Sequence, residues 1–304
     1  MEKWGYLSAL LATVLFGLSA AFSKIMVKYV HPIVLGALVY IIAGAFLFSI
    51  KFSPIGEPLL KLLNKSMYTE DYISRRDYII LIITALSGSS IAPFLYYTGL
   101  KFVSAVNAAL LLNVEVLFIV IMSTFILNEI FKIKDVVGML LILTGAGYIA
   151  TQGSFQNFGG NLVGNFLIIS SAFFWGTDTV LSKFLSKKRD LIWISAVKST
   201  IGGLSLLCVA ILLGLNFKIP VNMIPFLTYV SIFSTGLAFI LVYFAIRTIG
   251  SAKVGSIFPL SSFFGALFAS FILSEEFGPI KAFCGLIMLL GVFLLYHENS
   301  KSLF

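Results

Sequence analysis

Along the 304 residues, long unbroken apolar stretches alternate with short clusters of charged and turn-forming residues. Runs such as Leu10 to Ala21, Ile201 to Leu215 and Phe283 to Tyr296 carry almost no polar face. A soluble helix keeps a polar stripe opposite its buried one, so these segments call for lipid on their outer side. A hydrocarbon core about 30 Å thick is crossed by about 20 helical residues. On that measure the pattern predicts ten spans, at roughly 4–27, 33–50, 78–99, 103–126, 134–151, 161–184, 191–214, 223–246, 252–274 and 280–297. Continuous runs rather than short alternating ones exclude a barrel. The predicted fold class is therefore all-α integral membrane. Met1-Glu2-Lys3 followed by an apolar run with Ser19-Ala20-Ala21 invites comparison with a signal peptide, but the run is too long for one and a similar segment recurs inside the chain.

Composition supports the same class: 59% of residues are hydrophobic and 11% charged, with a mean hydropathy of +1.04, against about 25% charged in soluble domains. Cys208 and Cys284 fall inside predicted spans and read as small packing residues, without a disulfide or metal framework. The net charge of +8 is scattered through short loops and forms no basic domain, which argues against nucleic acid as a partner. Orientation accounts for it better. With the N-terminus inside, fifteen Lys and Arg fall on cytoplasmic loops and five (Lys24, Lys28, Lys101, Lys218 and Lys281) outside, leaving Lys198 within a span. The positive-inside rule then predicts a multi-pass protein of the plasma membrane with both termini cytoplasmic.

Sliding the chain against itself exposes a duplication, with the halves meeting near residue 155. Phe16-Gly17 and Ser23-Lys24 match Trp175-Gly176 and Ser182-Lys183 at an offset of 159. Tyr97 and Lys101 match Tyr243 and Arg247 at 146, the register that also sets Asn107-Ala108-Ala109 against Lys253-Val254-Gly255, Phe118 against Phe264 and Ile126-Leu127-Asn128-Glu129 against Ile272-Leu273-Ser274-Glu275. Gly138 and Gly145 correspond to Gly285 and Gly291 within a one-residue slip. Five spans per half, an odd number, force the second copy to enter the membrane in the opposite sense. The expected organisation is 1–155 as one five-helix repeat and 156–304 as its inverted copy, the arrangement of alternating-access carriers.

These features together, with the aromatic-Gly pair ending in Ser-Lys within the first span of each half and Asn128-Glu129 or Glu275-Glu276 followed by Gly138 or Gly285, resemble the EamA family of the drug/metabolite transporter superfamily across essentially the whole chain. The resemblance implies a transporter fold. It does not name a cargo, since the family moves amino acids, nucleobase-related metabolites, sugars or drugs.

Ionisable residues at membrane depth are expensive and mark candidate sites. Glu115 lies near the middle of the fourth span, Lys198 about eight residues into the seventh, and Asp178 in the latter part of the sixth. Glu115 reads either as a cavity carboxylate that binds a cationic group or takes up a proton, or as a carboxylate held by a lysine or hydroxyls; its counterpart in the second half is Ser261. Lys198 occupies a place where the family usually has a basic residue, and its counterpart is Tyr40. It either recognises a substrate carboxylate or neutralises Glu115 or Asp178. Asp178 reads as a local partner of Ser182 or a lysine. Asn113, Tyr40, Trp175, Tyr97 and Tyr243 are further cavity candidates, although tyrosines near helix ends often serve as interfacial anchors. Pro93 and Pro259 break helices at depth and are candidate hinges or static kinks. Gly17, Gly44, Gly99, Gly145, Gly176, Gly202, Gly203, Gly265 and Gly291 read as close-packing positions.

The long hydrophilic segment 52–77 carries Leu59, Leu62, Leu63 and Met67 at the spacing of a short amphipathic surface helix, with Lys61 and Lys65 toward head groups. HExxH, GxSxG, phosphate-loop and metal-spaced patterns are missing, so no enzyme, cofactor or ATP-driven pump is expected. The expectation is a secondary transporter of a small metabolite, either an amino acid or related zwitterion exported by alternating access, or lipophilic cations. A channel or scaffold is disfavoured, and monomer and homodimer both stay open.

Overall fold

The computed structural model describes residues 2–63, 74–127, 133–151, 162–186, 191–249, 254 and 257–296, and every regular element among them is helical. Helix α1 (Glu2–Met26) is followed by α2 (Pro32–Phe52) and a short α3 (Gly56–Leu63). A third rod consists of α4 (Arg75–Leu86) and α5 (Ala92–Phe102), joined through a π-helical turn at Ser87–Ile91. In the fourth, α6 (Ala105–Leu111) runs through a 3-10 turn at Leu112–Val114 into α7 (Glu115–Leu127). Then come α8 (Ile133–Thr151), α9 (Leu162–Ser186) and α10 (Leu191–Leu212). The next rod joins α11 (Ile224–Thr228) to α12 (Ala238–Ile249) through a π-helical stretch at Tyr229–Leu237, and α13 (Leu260–Leu273) and α14 (Pro279–Tyr296) close the bundle.

Local chemistry fixes several helix starts. Pro32 opens α2, where its missing N–H removes no helical bond, and His31 Nδ1 accepts from the Ile33 N–H at 3.3 Å. Ser74 and Asp77 form a reciprocal capping box on α4, and Ser104 caps α6 by accepting from the Asn107 N–H at 3.1 Å. Within the predicted ninth span, 252–274, the regular helix α13 starts at Leu260, directly after Pro259, and positions 252, 253, 255 and 256 lie outside the described residues. Proline lacks the N–H to continue an upstream ladder, so the chain makes 3-10-like bonds there, from Ser261 N–H to Phe258 and from Ser262 N–H to Pro259.

Among the described residues, six helical rods are long and apolar enough to cross a bilayer: Lys3–Met26, Pro32–Phe52, Arg75–Phe102, Ala105–Ile126, Ile192–Leu212 and Val221–Ile246. Shorter apolar helical segments occur at Val136–Ile149, Leu260–Leu273 and Pro279–Leu295. Phe125, Phe271 and Leu212 point outward at 77% exposure or more, while Leu100, Leu110, Ile142, Met288 and Leu295 are fully enclosed. This inside-out distribution suits a lipid solvent.

The principal helix packing joins segments from before residue 152 to segments from after residue 161. Helix α2 packs along α10, α8 along α14, and α1 against α12 and α13, while α9 lies against α5 and α7. Helix α3 extends as far as Leu63, and the side chains beyond Leu59 lie outside the described residues. Leu59 packs against the cluster of Leu47, Ile192 and Ile240, and Met67 lies outside the described residues. Of the two cysteines, Cys284 is buried and Cys208 is exposed on the outside of α10, so only the first packs within the bundle.

Candidate functional site

The site begins with a backbone defect. Within the third rod the Ala92 N–H donates to the Ser87 carbonyl five residues back. Continuing that register would require an N–H at position 93 for the Gly88 carbonyl, and Pro93 has none. Two side chains fill the gap. Trp175 Nε1 donates to the Gly88 oxygen at 2.9 Å, and the Tyr40 hydroxyl donates to it at 3.4 Å. Pro93 thus marks a π-helical turn whose freed carbonyl is met by an indole and a phenol from two other helices.

Gly88 also receives the acidic group of the site. A Cβ there would fall 2.1 Å from Asp178 Oδ2, so glycine is needed for the carboxylate to lie against the turn. Asp178 Oδ1 pairs with the Lys198 ammonium, and Ser182 joins them: its hydroxyl donates to Asp178 Oδ1 at 2.9 Å and accepts from Lys198 Nζ at 2.9 Å. The side chains of Lys198 and Asp178 keep only 13% and 17% exposure. On α9, Trp175, Asp178, Thr179 and Ser182 recur at helical spacing, which presents them along one side. Glu115 opens α7 just after the 3-10 turn, with its carboxylate near Thr179 of α9. Asp178 lies within electrostatic reach of both Glu115 and Tyr40.

Five of the sequence candidates therefore belong to one neighbourhood. Glu115, Lys198, Tyr40 and Trp175 surround Asp178 and Gly88, and Tyr97 adjoins through Tyr96, whose ring lies 5.6 Å from Tyr97 and 5.4 Å from Trp175. The partner of Lys198 is Asp178 rather than Glu115, and among the described residues no Lys or Arg pairs with Glu115. Asn113 is buried with its Nδ2 unmatched. Ser261 lies apart from the cluster, with its carbonyl against Gly17 of α1. Pro259 sits at the start of α13. The side chain of Tyr243 lies outside the described residues, as does Glu129. Sequence reasoning missed the Gly88 carbonyl, although Gly88 five residues before Pro93 was its signal.

A second polar assembly holds the turn between α5 and α6. Lys24, in the last turn of α1, donates to the Val103 carbonyl at 2.7 Å and to that of Leu100. The Glu275 carboxylate accepts from the Ala105 N–H at 3.0 Å and from the Val106 N–H at 2.9 Å. A cation thus meets the negative end of one helix and an anion the positive end of the next. Counted as a loop cation on the sequence, Lys24 is instead a clamp between α1 and this turn.

Deep polar groups threaded through lipid-facing helices define a multi-pass membrane protein. Comparison with known proteins gives its kind: the model of the EamA-like transporter family matches residues 3–151 and again 162–297. The chain belongs to the EamA-like transporter family. It is 50% identical over 299 residues to an uncharacterized transporter of Methanothermobacter thermautotrophicus, covering 98% of this chain and 87% of the relative. It is 25% identical to the uncharacterized transporter YetK of Bacillus subtilis over 95% of this chain and 86% of the relative. A solved crystal structure shares the fold with a TM-score of 0.65 at 18% identity, covering 97% of this chain and 98% of the other.

Proposed function

We propose that the chain is a secondary carrier that moves a small metabolite bearing an ammonium group, such as an amino acid or related zwitterion, by alternating access between two inverted five-helix repeats. Glu115 carries this reading. It is a carboxylate at membrane depth, near Thr179 and with no basic partner among the described residues, which leaves it able to meet a cationic group or a proton. Lys198 would meet a solute carboxylate by exchanging partners with Asp178. The ring cluster of Tyr40, Tyr96, Tyr97 and Trp175 favours a second cargo, a lipophilic cation.

Matched contacts support the inverted repeat. A Cβ on Gly17 would fall 2.8 Å from Phe264 Cβ, and one on Gly176 would fall 3.2 Å from Phe118 Cβ, the same pair carried over at offsets of 159 and 146. Gly44 lies against Thr200 and Ala196, and Gly203 against Ile41 and Ala37, which is again one contact and its exchanged copy. The π-helical stretches at Ser87–Ile91 and Tyr229–Leu237 overlap in the 146-residue register. The basic-residue bias supports placement in the cell membrane with both termini cytoplasmic. Transport chemistry without an enzyme, cofactor or fixed oligomer is part of the same proposal.

Proteoliposome counterflow with labelled amino acids tests it. Exchange in the wild type, abolished in Glu115→Gln and weakened in Lys198→Ala, is the expected result. Absence of amino-acid exchange, with lipophilic-cation uptake that depends on Glu115, would transfer the assignment to the second cargo. Exchange of another solute that neither variant alters would refute the site.

A further inference from the structure

Away from the Asp178 cluster, a cavity of about 300 Å3 opens at one end of the bundle, where α1 turns into α2, beside the end of α5 and the segment between α10 and α11. Its polar lining comprises Lys28, Tyr29, His31, Lys101, Asn216 and Lys218, and no Asp or Glu lines it among the described residues. No hydrogen bond or ion pair occupies the three ammonium groups among the described residues. The acceptor atoms of His31 and Asn216 are already taken: His31 Nδ1 accepts from the Ile33 N–H at 3.3 Å, and Asn216 Oδ1 accepts from the Lys218 N–H at 2.8 Å. What these side chains offer a ligand is mainly donors and positive charge: three ammoniums, the imidazole N–H at Nε2 and the Asn216 amide, beside the Tyr29 hydroxyl, which can donate as well.

Like charges gathered around one hollow repel one another unless an anion joins them. His31 registers that repulsion, since burial and the neighbouring Lys101 hold its imidazolium below the ordinary histidine range. Under the orientation proposed above, this face is the outer one. The positive-inside bias leaves only five basic residues there, and three of the five line this cavity. A thinly basic face that concentrates its lysines in one hollow, with no carboxylate among the described lining residues to balance them, is built for a partner that supplies the negative charge.

We propose that this cavity binds an oxyanion, a phosphate or carboxylate group presented by a soluble solute or by an anionic lipid head group. Its walls come from segments on either side of residues 152–161, so the bound anion ties the two together. The full-length protein tests this in two arms. Calorimetry in neutral detergent reads binding of inorganic phosphate. Native mass spectrometry reads phosphatidylglycerol retained after release from mixed phosphatidylcholine and phosphatidylglycerol vesicles.

At about fivefold per lysine, Lys28→Gln/Lys101→Gln/Lys218→Gln is expected to weaken binding about a hundredfold, whereas the corresponding Lys→Arg triple retains it. Phosphate binding without lipid retention assigns a soluble ligand, and lipid retention without phosphate binding assigns a head group. If the glutamine triple loses its thermal transition, Lys101→Gln alone is read, with about a fivefold loss expected. The proposal is overturned if neither probe binds the wild type more tightly than the glutamine variant, or if the arginine triple loses binding equally.

Discussion

Removing one member of the Asp178 and Lys198 pair should cost far more than removing both. Two unit charges about 4 Å apart at an effective dielectric near 20 attract by about 4 kcal/mol. The observed contact is closer and little exposed. In Asp178→Leu the Lys198 ammonium keeps only the Ser182 hydroxyl, a partner that recovers about 1 kcal/mol. The expected loss is then about 3 kcal/mol, within the usual range for stranding a buried charge. Lys198→Met should lose a similar amount by stranding Asp178. The double variant leaves no uncompensated charge and should lie within about 1 kcal/mol of the wild type, giving a coupling of several kcal/mol. Steric trapping in bicelles, which reads unfolding free energy within a lipid environment, supplies all three values. Additive single effects, each below about 1 kcal/mol, would refute the claim that this pair is shielded from water.

Glu275→Gln should weaken the cap on the α5–α6 turn by about 1.5 kcal/mol, seen as roughly tenfold faster hydrogen exchange at the Ala105 and Val106 amides. Gly291→Val should separate α8 from α14, because a Cβ at Gly291 would fall 2.6 Å from the Gly138 carbonyl; a stability loss above about 2 kcal/mol is expected. Gly147→Ala, whose added Cβ would meet nothing within 4 Å, should not lower stability in the same unfolding assay. His31, held below its ordinary value, is neutral at pH 7 and gains charge only as pH falls through that lowered value. Anion binding should therefore tighten on acidification, with His31→Gln flattening the titration.

Helices were legible in the sequence because lipid demands length and apolarity, and both are written in consecutive residues. Glu115, Lys198, Tyr40 and Trp175 could be marked because charge and hydrogen-bonding tips are conspicuous at depth. Their pairing was not readable: whether Lys198 meets Asp178 or Glu115 depends on how α9 and α10 rotate, and hydropathy carries no rotational information when every face is apolar. Pro93 signalled a break, yet the identity of the groups meeting the freed carbonyl required three helices in place. Lys24 shows the same limit from the other side. Near a helix end it counts as a loop charge, and only the approach of Leu100 and Val103 turns it into a clamp.

The pairing of helices across residues 152–161 bears on how the molecule is made. Helices α1, α2 and α8 each find their principal partner in a helix that enters the membrane later. Until α10 and α14 are inserted, the notches at Gly44 and Gly138 face lipid, where chains pack loosely against missing side chains. Burial of those notches is therefore completed only when segments from the two sides of residues 152–161 meet within the bilayer.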